Sequence, residues 1–403
     1  MREQRIYADH AATTPMRAEA VAAMVPWLEA GGFNPSSLHA EGRRARAALD
    51  DARERIAALL GVRPDEIVFT AGGSEADVLA LVGAVRARRR QTGAAHVVSV
   101  ASEHHAVLHA LALLASEGVA VTLLGVDAQG RLDLAELAAA LRPETVLVSA
   151  MLANNEIGTV GPLAEIATLA HARGVLVHCD AVQAAGRLPL DVPLLGADLL
   201  ALAAHKCYGP KGVGLLAVRN GVALEPLVVG GGQERGRRAG TENVAGIVAF
   251  ARALELAEAE RHEEAARLER IRAQFEAELL ATVPGACIVG GEAARVAHIS
   301  SVAFRGCDAS ELLVALDLAG VAASAGSACA SGVAEPSHVL AALGLPPALA
   351  RGTVRFSFGR LTGEDAPRLA GLVRAAVEAQ RAGEADLGRG NDSLPLRHPE
   401  VSA

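Results

Sequence analysis

The chain has no CxxC pair, and its five cysteines (Cys179, Cys207, Cys287, Cys307 and Cys329) form an odd set. That pattern excludes a disulfide framework and a cysteine-only zinc knuckle, and it fits a reducing compartment. Long unbroken apolar runs are also missing: "GRLPLDVPLLGADLLALAAHK" is too interrupted to span a bilayer. The start, "MREQRIYADHAATTP", lacks the apolar core of a signal peptide and soon meets Asp9, so a soluble cytoplasmic protein is expected. Clustered positive charge is absent as well. The net charge of -8 argues against nucleic acid or an anionic membrane as partner and leaves small molecules or proteins. There is no internal repeat.

What is present is ample apolar material, 51% of 403 residues, enough for sizeable cores. Between residues 60 and 220 the short runs "EIVFT", "HVVSV", "VAVTLL", "TVLVSAM", "GVLVHCD", "ADLLALAA" and "GVGLLAV" alternate with helix-like segments such as "LDLAELAAALRP" and "LAEIATLAHARG". Runs that short and that continuously apolar suit strands covered on both faces, so a mainly parallel α/β sheet with helices on both sides is predicted. A long helical stretch from Thr241 to Leu280 leads into a smaller α/β region containing "HISSVAF" and "TVRFSF". The division expected is an N-terminal segment 1–15 packed with the small domain, a large domain 16–255, a small domain 256–382, and a tail 383–403 without fixed structure.

In such sheets ligands sit beyond the carboxyl ends of strands, so the polar residues at run ends carry most weight. "ADLLALAA" ends in His205 and Lys206, and a lysine partly desolvated there becomes a nucleophile toward aldehydes. "GVLVHCD" ends in Asp180, and "EIVFT" runs into Gly72, Gly73 and Ser74 before a helix expected near Glu75, a place that favours a phosphate. "HVVSVAS" ends in Glu103, His104 and His105, and "TVLVSAMLA" in Asn154, Asn155 and Glu156. Taken singly, Lys206 reads as a surface lysine, Asp180 as a helix N-cap and the glycines as a turn. Together they supply what pyridoxal phosphate requires: an amine, a carboxylate for the ring nitrogen, and a phosphate cradle. A metal site among His104, His105, His109, His178, Cys179, Asp180 and His205 has less support, because HExxH is absent and His104 and His105 are adjacent. No metal is expected. A dinucleotide is disfavoured because no GxGxxG follows the first strands.

From "YADHAATTP" to "GTVRFSFGRLT" the chain resembles the pyridoxal-phosphate-dependent cysteine desulfurases of the class V aminotransferase group. The resemblance is carried by "NPSSLHAEGRRA", "IVFTAGGSEAD", "SEHHAVL", "NNEIGTVGP", "HCDAVQAAG", "AHKCYGPKGVG", "GGGQERGRRAGTEN" and "SAGSACASGVAEPSHVLAALG". It implies a type I transferase fold with a seven-stranded sheet, and a homodimer that converts L-cysteine to L-alanine. Lys206 would hold the cofactor, Asp180 would face the pyridine nitrogen and Gln183 the phenolic oxygen. His104 would stack on the ring and move protons. Gly73, Ser74 and His205 would hold the phosphate, with Thr241 reaching the phosphate of the other subunit. Arg355 would clamp the substrate carboxylate, assisted by Asn34 and Asn155. Cys329, in a run of small residues of the longer-loop type, would take the sulfur as a persulfide and pass it to a protein acceptor such as an iron-sulfur scaffold. The other four cysteines are assigned structural or incidental places.

The sequence departs from the family pattern at Ala203 and Ala239, where serines are usual, and in "EADV", where Ala76 and Val78 stand in an "ESDN"-like stretch. One phosphate hydroxyl is therefore missing by this resemblance. Two other activities suit the same residues: a selenocysteine lyase or other β-elimination, and a non-catalytic cofactor-binding scaffold.

Overall fold

The computed structural model describes residues 5–29, 33–93, 95–326, 337–363 and 365–390. Its strands are β1 (Ile6–Tyr7), β2 (Ile67–Thr70), β3 (His96–Val100), β4 (Ala120–Leu124), β5 (Thr145–Ser149), β6 (Leu176–Asp180), β7 (Leu199–Ala203), β8 (Gly214–Val218), β9 (Ala286–Ile288), β10 (Ile299–Phe304), β11 (Val321–Ala322) and β12 (Thr353–Ser357). The seven apolar runs between residues 60 and 220 are β2 to β8, and they form one sheet in the order β2-β8-β7-β6-β5-β3-β4. β8 is antiparallel to both neighbours, and every other adjacent pair is parallel. This is the mainly parallel seven-stranded sheet expected.

Side-chain alternation sends each strand into two cores. Val98, Leu200 and Leu202 pack with Leu49, Ile56, Phe250 and Leu254 on one face, while Val97, Leu199 and Ala201 pack with Leu79, Leu81, Val107 and Leu111 on the other. β4, at one edge of the sheet, breaks the pattern, with Ala120 and Leu123 exposed.

The stretch from Thr241 to Leu280 is two helices, Val244–Ala259 and Arg261–Thr282. Glu260 marks the break, gripped by Arg17 through both carboxylate oxygens at 2.8 Å and by Arg360 at 2.5 Å. Leu268, Ile271, Phe275 and Leu279 of the second helix enter a separate core with Phe304, Phe356, Phe358 and Ala8. There the Phe275 ring stands edge-on to Phe356 and Phe358, at centroid distances of 4.9 and 5.6 Å. This core lies over an antiparallel sheet of order β12-β10-β9. β1 pairs with β11, which brings the N-terminal segment against the same region. The last helix, Ala366–Gly390, extends past residue 382 into the tail expected to be unstructured, because "AQRAGEADL" is rich in helix-forming Ala, Arg, Glu and Leu. Residues 391–403 lie outside the described residues. Among the described residues no helix is long and apolar enough to cross a membrane.

The approach to the sheet's β2 end is fixed by a buried ion pair. Arg53, from helix Ala40–Leu60, donates to both carboxylate oxygens of Glu234 at 2.9 and 2.6 Å and to the Ile67 carbonyl at 2.7 Å. Glu234 also accepts the Phe69 N–H at 2.9 Å, and the guanidinium lies 4.6 Å from the centroid of the Phe69 ring. Removing one partner of such a pair leaves a buried charge uncompensated, so Arg53→Leu should lower stability by about 3–5 kcal/mol. Adding Glu234→Gln should recover part of the loss in urea unfolding. An Arg53→Leu cost within about 0.5 kcal/mol of zero, the range of ordinary surface changes, would contradict this reading.

Candidate active site

A cavity of about 360 Å³ opens at the carboxyl ends of the parallel strands. Lys206 reaches it from the short helical turn Ala204–Lys206 that follows β7, and Asp180 is the last residue of β6. His104 follows β3 and caps helix His105–Ser116, its Nδ1 accepting the Ala106 N–H at 3.1 Å. Gly73 opens the helical run after β2. A Cβ there would stand 2.7 Å from a methyl of Val182, so only glycine leaves the wall open at that point.

The cavity is lined by Gly73, Ser74, His104, Asn155, Asp180, Gln183, His205, Lys206 and Arg355, all of them expected site residues. Thr241 does not line it; it borders a smaller cavity with Thr70, Arg238 and Glu242. Asn34 is exposed and accepts the Ser36 N–H at 2.9 Å, and it too is outside the lining. Cys329 lies outside the described residues, but Gly326, three positions before it, lines the cavity.

The N-terminal segment closes the site from the side. Lys206 Nζ donates to the carbonyls of Ala11 and Ala12 at 2.6 and 2.8 Å, and Gln183 Nε2 donates to Ala11 O at 2.8 Å. Arg355 is 3% exposed; it donates to Asp9 Oδ1 at 3.0 Å and to the Asn155 carbonyl at 2.8 Å, while its Nε is buried without a hydrogen-bond partner among the described residues. His205 contacts Thr13 Oγ1 at 3.1 Å.

Asp77, Glu103 and Asp180 are carboxyl groups buried in or beside this cavity. Burial pushes Asp180 up to about 6, opposed by the Val182 N–H at 2.9 Å and by the Lys206 charge. Burial and the charge of Asp180 push Glu103 up to about 8 and raise Asp77 well above the usual carboxylate range. Burial and Lys206 push His104 and His205 down to about 4, so both imidazoles are neutral at pH 7 and able to accept a proton. Donor atoms of Asp77, His104 and Asp180 lie within 4.8 Å of one another. Beneath them, His178 Nε2 stands 3.4 Å from Asp77 Oδ1, and its Nδ1 contacts Ser149 Oγ at 2.9 Å.

Sequence reasoning missed Asp77, the Ala11 and Ala12 carbonyls, and Asp9 as the partner of Arg355. Asp77 sits one turn into a helix, not at a strand end, where attention was directed. A compositional signal was also available: the chain has two lysines, Lys206 and Lys211, among 38 basic residues. Of the departures from the family pattern, Ala203 lines the cavity and offers it no hydroxyl, while Ala76 and Val78 do not line it. Cys179 and Cys207 are buried thiols, and burial pushes Cys207 up to about 12, so it is inert although it adjoins Lys206.

The shift of Glu103 makes a stability prediction. A folded carboxyl raised above its unfolded value binds its proton more tightly in the native state, so its contribution is full below 4.5 and is lost as pH rises through about 8. The stability of the wild type relative to Glu103→Gln should therefore shrink as pH rises across that window, measured by urea unfolding. A difference constant with pH would show that Glu103 carries no such shift.

The aminotransferase class-V family model matches residues 6–366. The chain is 43% identical over 360 residues to "Cysteine desulfurase IscS" of Dictyoglomus turgidum, covering 89% of this chain and 91% of that one. A solved structure described as "NIFS-LIKE PROTEIN" superposes with a TM-score of 0.85 at 33% identity, over 95% of this chain and 100% of that one. Another, "SspA in complex with cysteine", gives a TM-score of 0.77 at 36% identity over 88% and 98%. With a family match across most of its length and relatives this similar, the chain belongs to the class-V aminotransferase family and, within it, to the cysteine desulfurases.

Proposed function

We infer that this protein is a cysteine desulfurase that takes the sulfur of L-cysteine and releases L-alanine. The observation that carries the reading is the convergence of Lys206, Asp180, His104 and Arg355 on one cavity in a chain of this family. The same cavity suits pyridoxal phosphate. Lys206 offers an amine, and the buried carboxyls of Asp180 and Asp77 suit a protonated ring nitrogen, Asp77 Oδ1 having no hydrogen-bond partner among the described residues. Gly73, Ser74 and His205 would hold the phosphate, and Gln183 would reach the phenolic oxygen. The cofactor supplies an aldehyde that takes the substrate amine and a ring that stores an electron pair.

The chain's own residues do the rest. Arg355, buried and preset by Asp9 and the Asn155 carbonyl, would receive the substrate carboxylate, with the Asn155 side chain beside it. His104, neutral, would accept and return protons. The Cys329 thiolate would attack the substrate sulfur; the carbon–sulfur bond breaks, its electron pair passes to the carbon side, and protonation there completes alanine. The persulfide left on Cys329 would then pass to a protein acceptor such as an iron-sulfur scaffold. Gly326 in the cavity wall supports this placement. We also propose a cytoplasmic homodimer in which Thr241, which borders a different cavity from the one lined by Lys206, serves the partner's phosphate.

Two variants test the reading. Cys329→Ala should retain the yellow cofactor absorbance yet release almost no alanine from L-cysteine, and persulfide should appear by mass on Cys329 of the wild type. Arg355→Ala should raise KM for cysteine with the cofactor still bound. Normal alanine release from Cys329→Ala would overturn the proposed sulfur step, and loss of cofactor from Arg355→Ala would make that residue structural.

A further inference from the structure

We propose that His105, His109 and His338 form a binding site for a divalent transition metal of the zinc class, outside the cofactor cavity. His105 and His109 stand four residues apart on helix His105–Ser116, which puts both imidazoles on one helix face. Their ring centroids are 5.3 Å apart. The third ring comes from a distant part of the chain: His338, first residue of helix His338–Ala342, lies 4.3 Å from His105. Considering the adjacent pair His104 and His105 alone hid this grouping, because the spacing that matters is the i,i+4 pair and its partner is remote in sequence.

The hydrogen bonding of His338 leaves a donor free. Its Nε2 is 2.8 Å from the Glu103 carbonyl, which can only accept, so Nε2 carries the hydrogen and Nδ1 the lone pair. That Nδ1 is buried and has no hydrogen-bond partner among the described residues. A ring held through one N–H by a backbone carbonyl, with the other nitrogen free, is the arrangement metal-bound histidines adopt. The rings of His338 and His109 and the Glu156 carboxylate all lie close to His105. Glu156 also supplies negative charge nearby. His109 is exposed, which gives an ion a path of entry.

The three ring donors do not lie within 4.8 Å of one another, so binding would require side-chain rotation, for which the exposed His109 has room. Bound metal would tie the helix capped by His104 to the helix that follows residues 327–336. It would therefore link the cofactor cavity to the chain just after Cys329.

Equilibrium dialysis of the cofactor-loaded protein against Zn²⁺ tests the proposal, with Co²⁺ absorption as a second readout. One site per chain should be found, with Co²⁺ bands typical of nitrogen ligands. His109→Gln and His338→Gln should each weaken it at least ~10-fold, while replacement of an exposed histidine elsewhere, His262→Gln, should leave it unchanged. Because His109 is exposed, its variant should keep the wild-type melting temperature, so that arm does not depend on folding. Absence of a site in the wild type, wild-type affinity in His109→Gln, or loss in His262→Gln would each overturn the assignment.

Discussion

The hydrogen bonds from the Lys206 ammonium to the carbonyls of Ala11 and Ala12 are the interaction on which the arrangement of the site depends. Asp180 ends β6 and Lys206 lies in the turn just after the adjacent parallel strand β7, so the sheet brings both to one cavity, where the Lys206 charge opposes the upward push of burial on Asp180. The bonds to the Ala11 and Ala12 carbonyls draw the N-terminal segment across the cavity mouth. Asp9, two residues earlier, then meets Arg355 of β12. Lys206 and Arg355 thus tie the large sheet and the small antiparallel sheet to the same N-terminal segment.

The segment that leads toward Cys329 is held from the same side. Ser324 and Arg355 exchange backbone hydrogen bonds, with Arg355 N–H donating at 2.6 Å and Ser324 N–H at 3.2 Å. A Cβ on Gly326 would collide with Glu156, and Ser337 donates to the same carboxylate at 2.6 Å. Both edges of the 327–336 stretch therefore rest on Glu156. The residue that would clamp the substrate and the chain that would carry the nucleophile share their anchoring, which fits a reaction in which the thiol must meet a substrate fixed by its carboxylate.

Much of this was legible in the sequence, for a physical reason. Each of the seven sheet strands is a short, largely apolar run, and in a mainly parallel sheet the polar residues that follow such runs gather at one end, which is why Lys206, Asp180, His104 and Asn155 line one cavity. What escaped was of another kind. Asp77 lies inside a helix, the Ala11 and Ala12 contributions are backbone carbonyls with no side-chain signature, and the Asp9–Arg355 pair joins residues 346 positions apart. The break at Glu260 was hidden because "LAEAERHEEAARL" has helical spacing throughout, and two arginines from elsewhere, Arg17 and Arg360, create the corner.

The scarcity of lysine allows a direct test of the account, since Lys206 and Lys211 are the only side-chain amines in the chain. Purified protein loaded with pyridoxal phosphate would be reduced with borohydride, digested, and mapped by tandem mass spectrometry. The account predicts that the added mass is found on Lys206 and that Lys211 is unmodified. Modification of Lys211 in place of Lys206, or of neither, would contradict it.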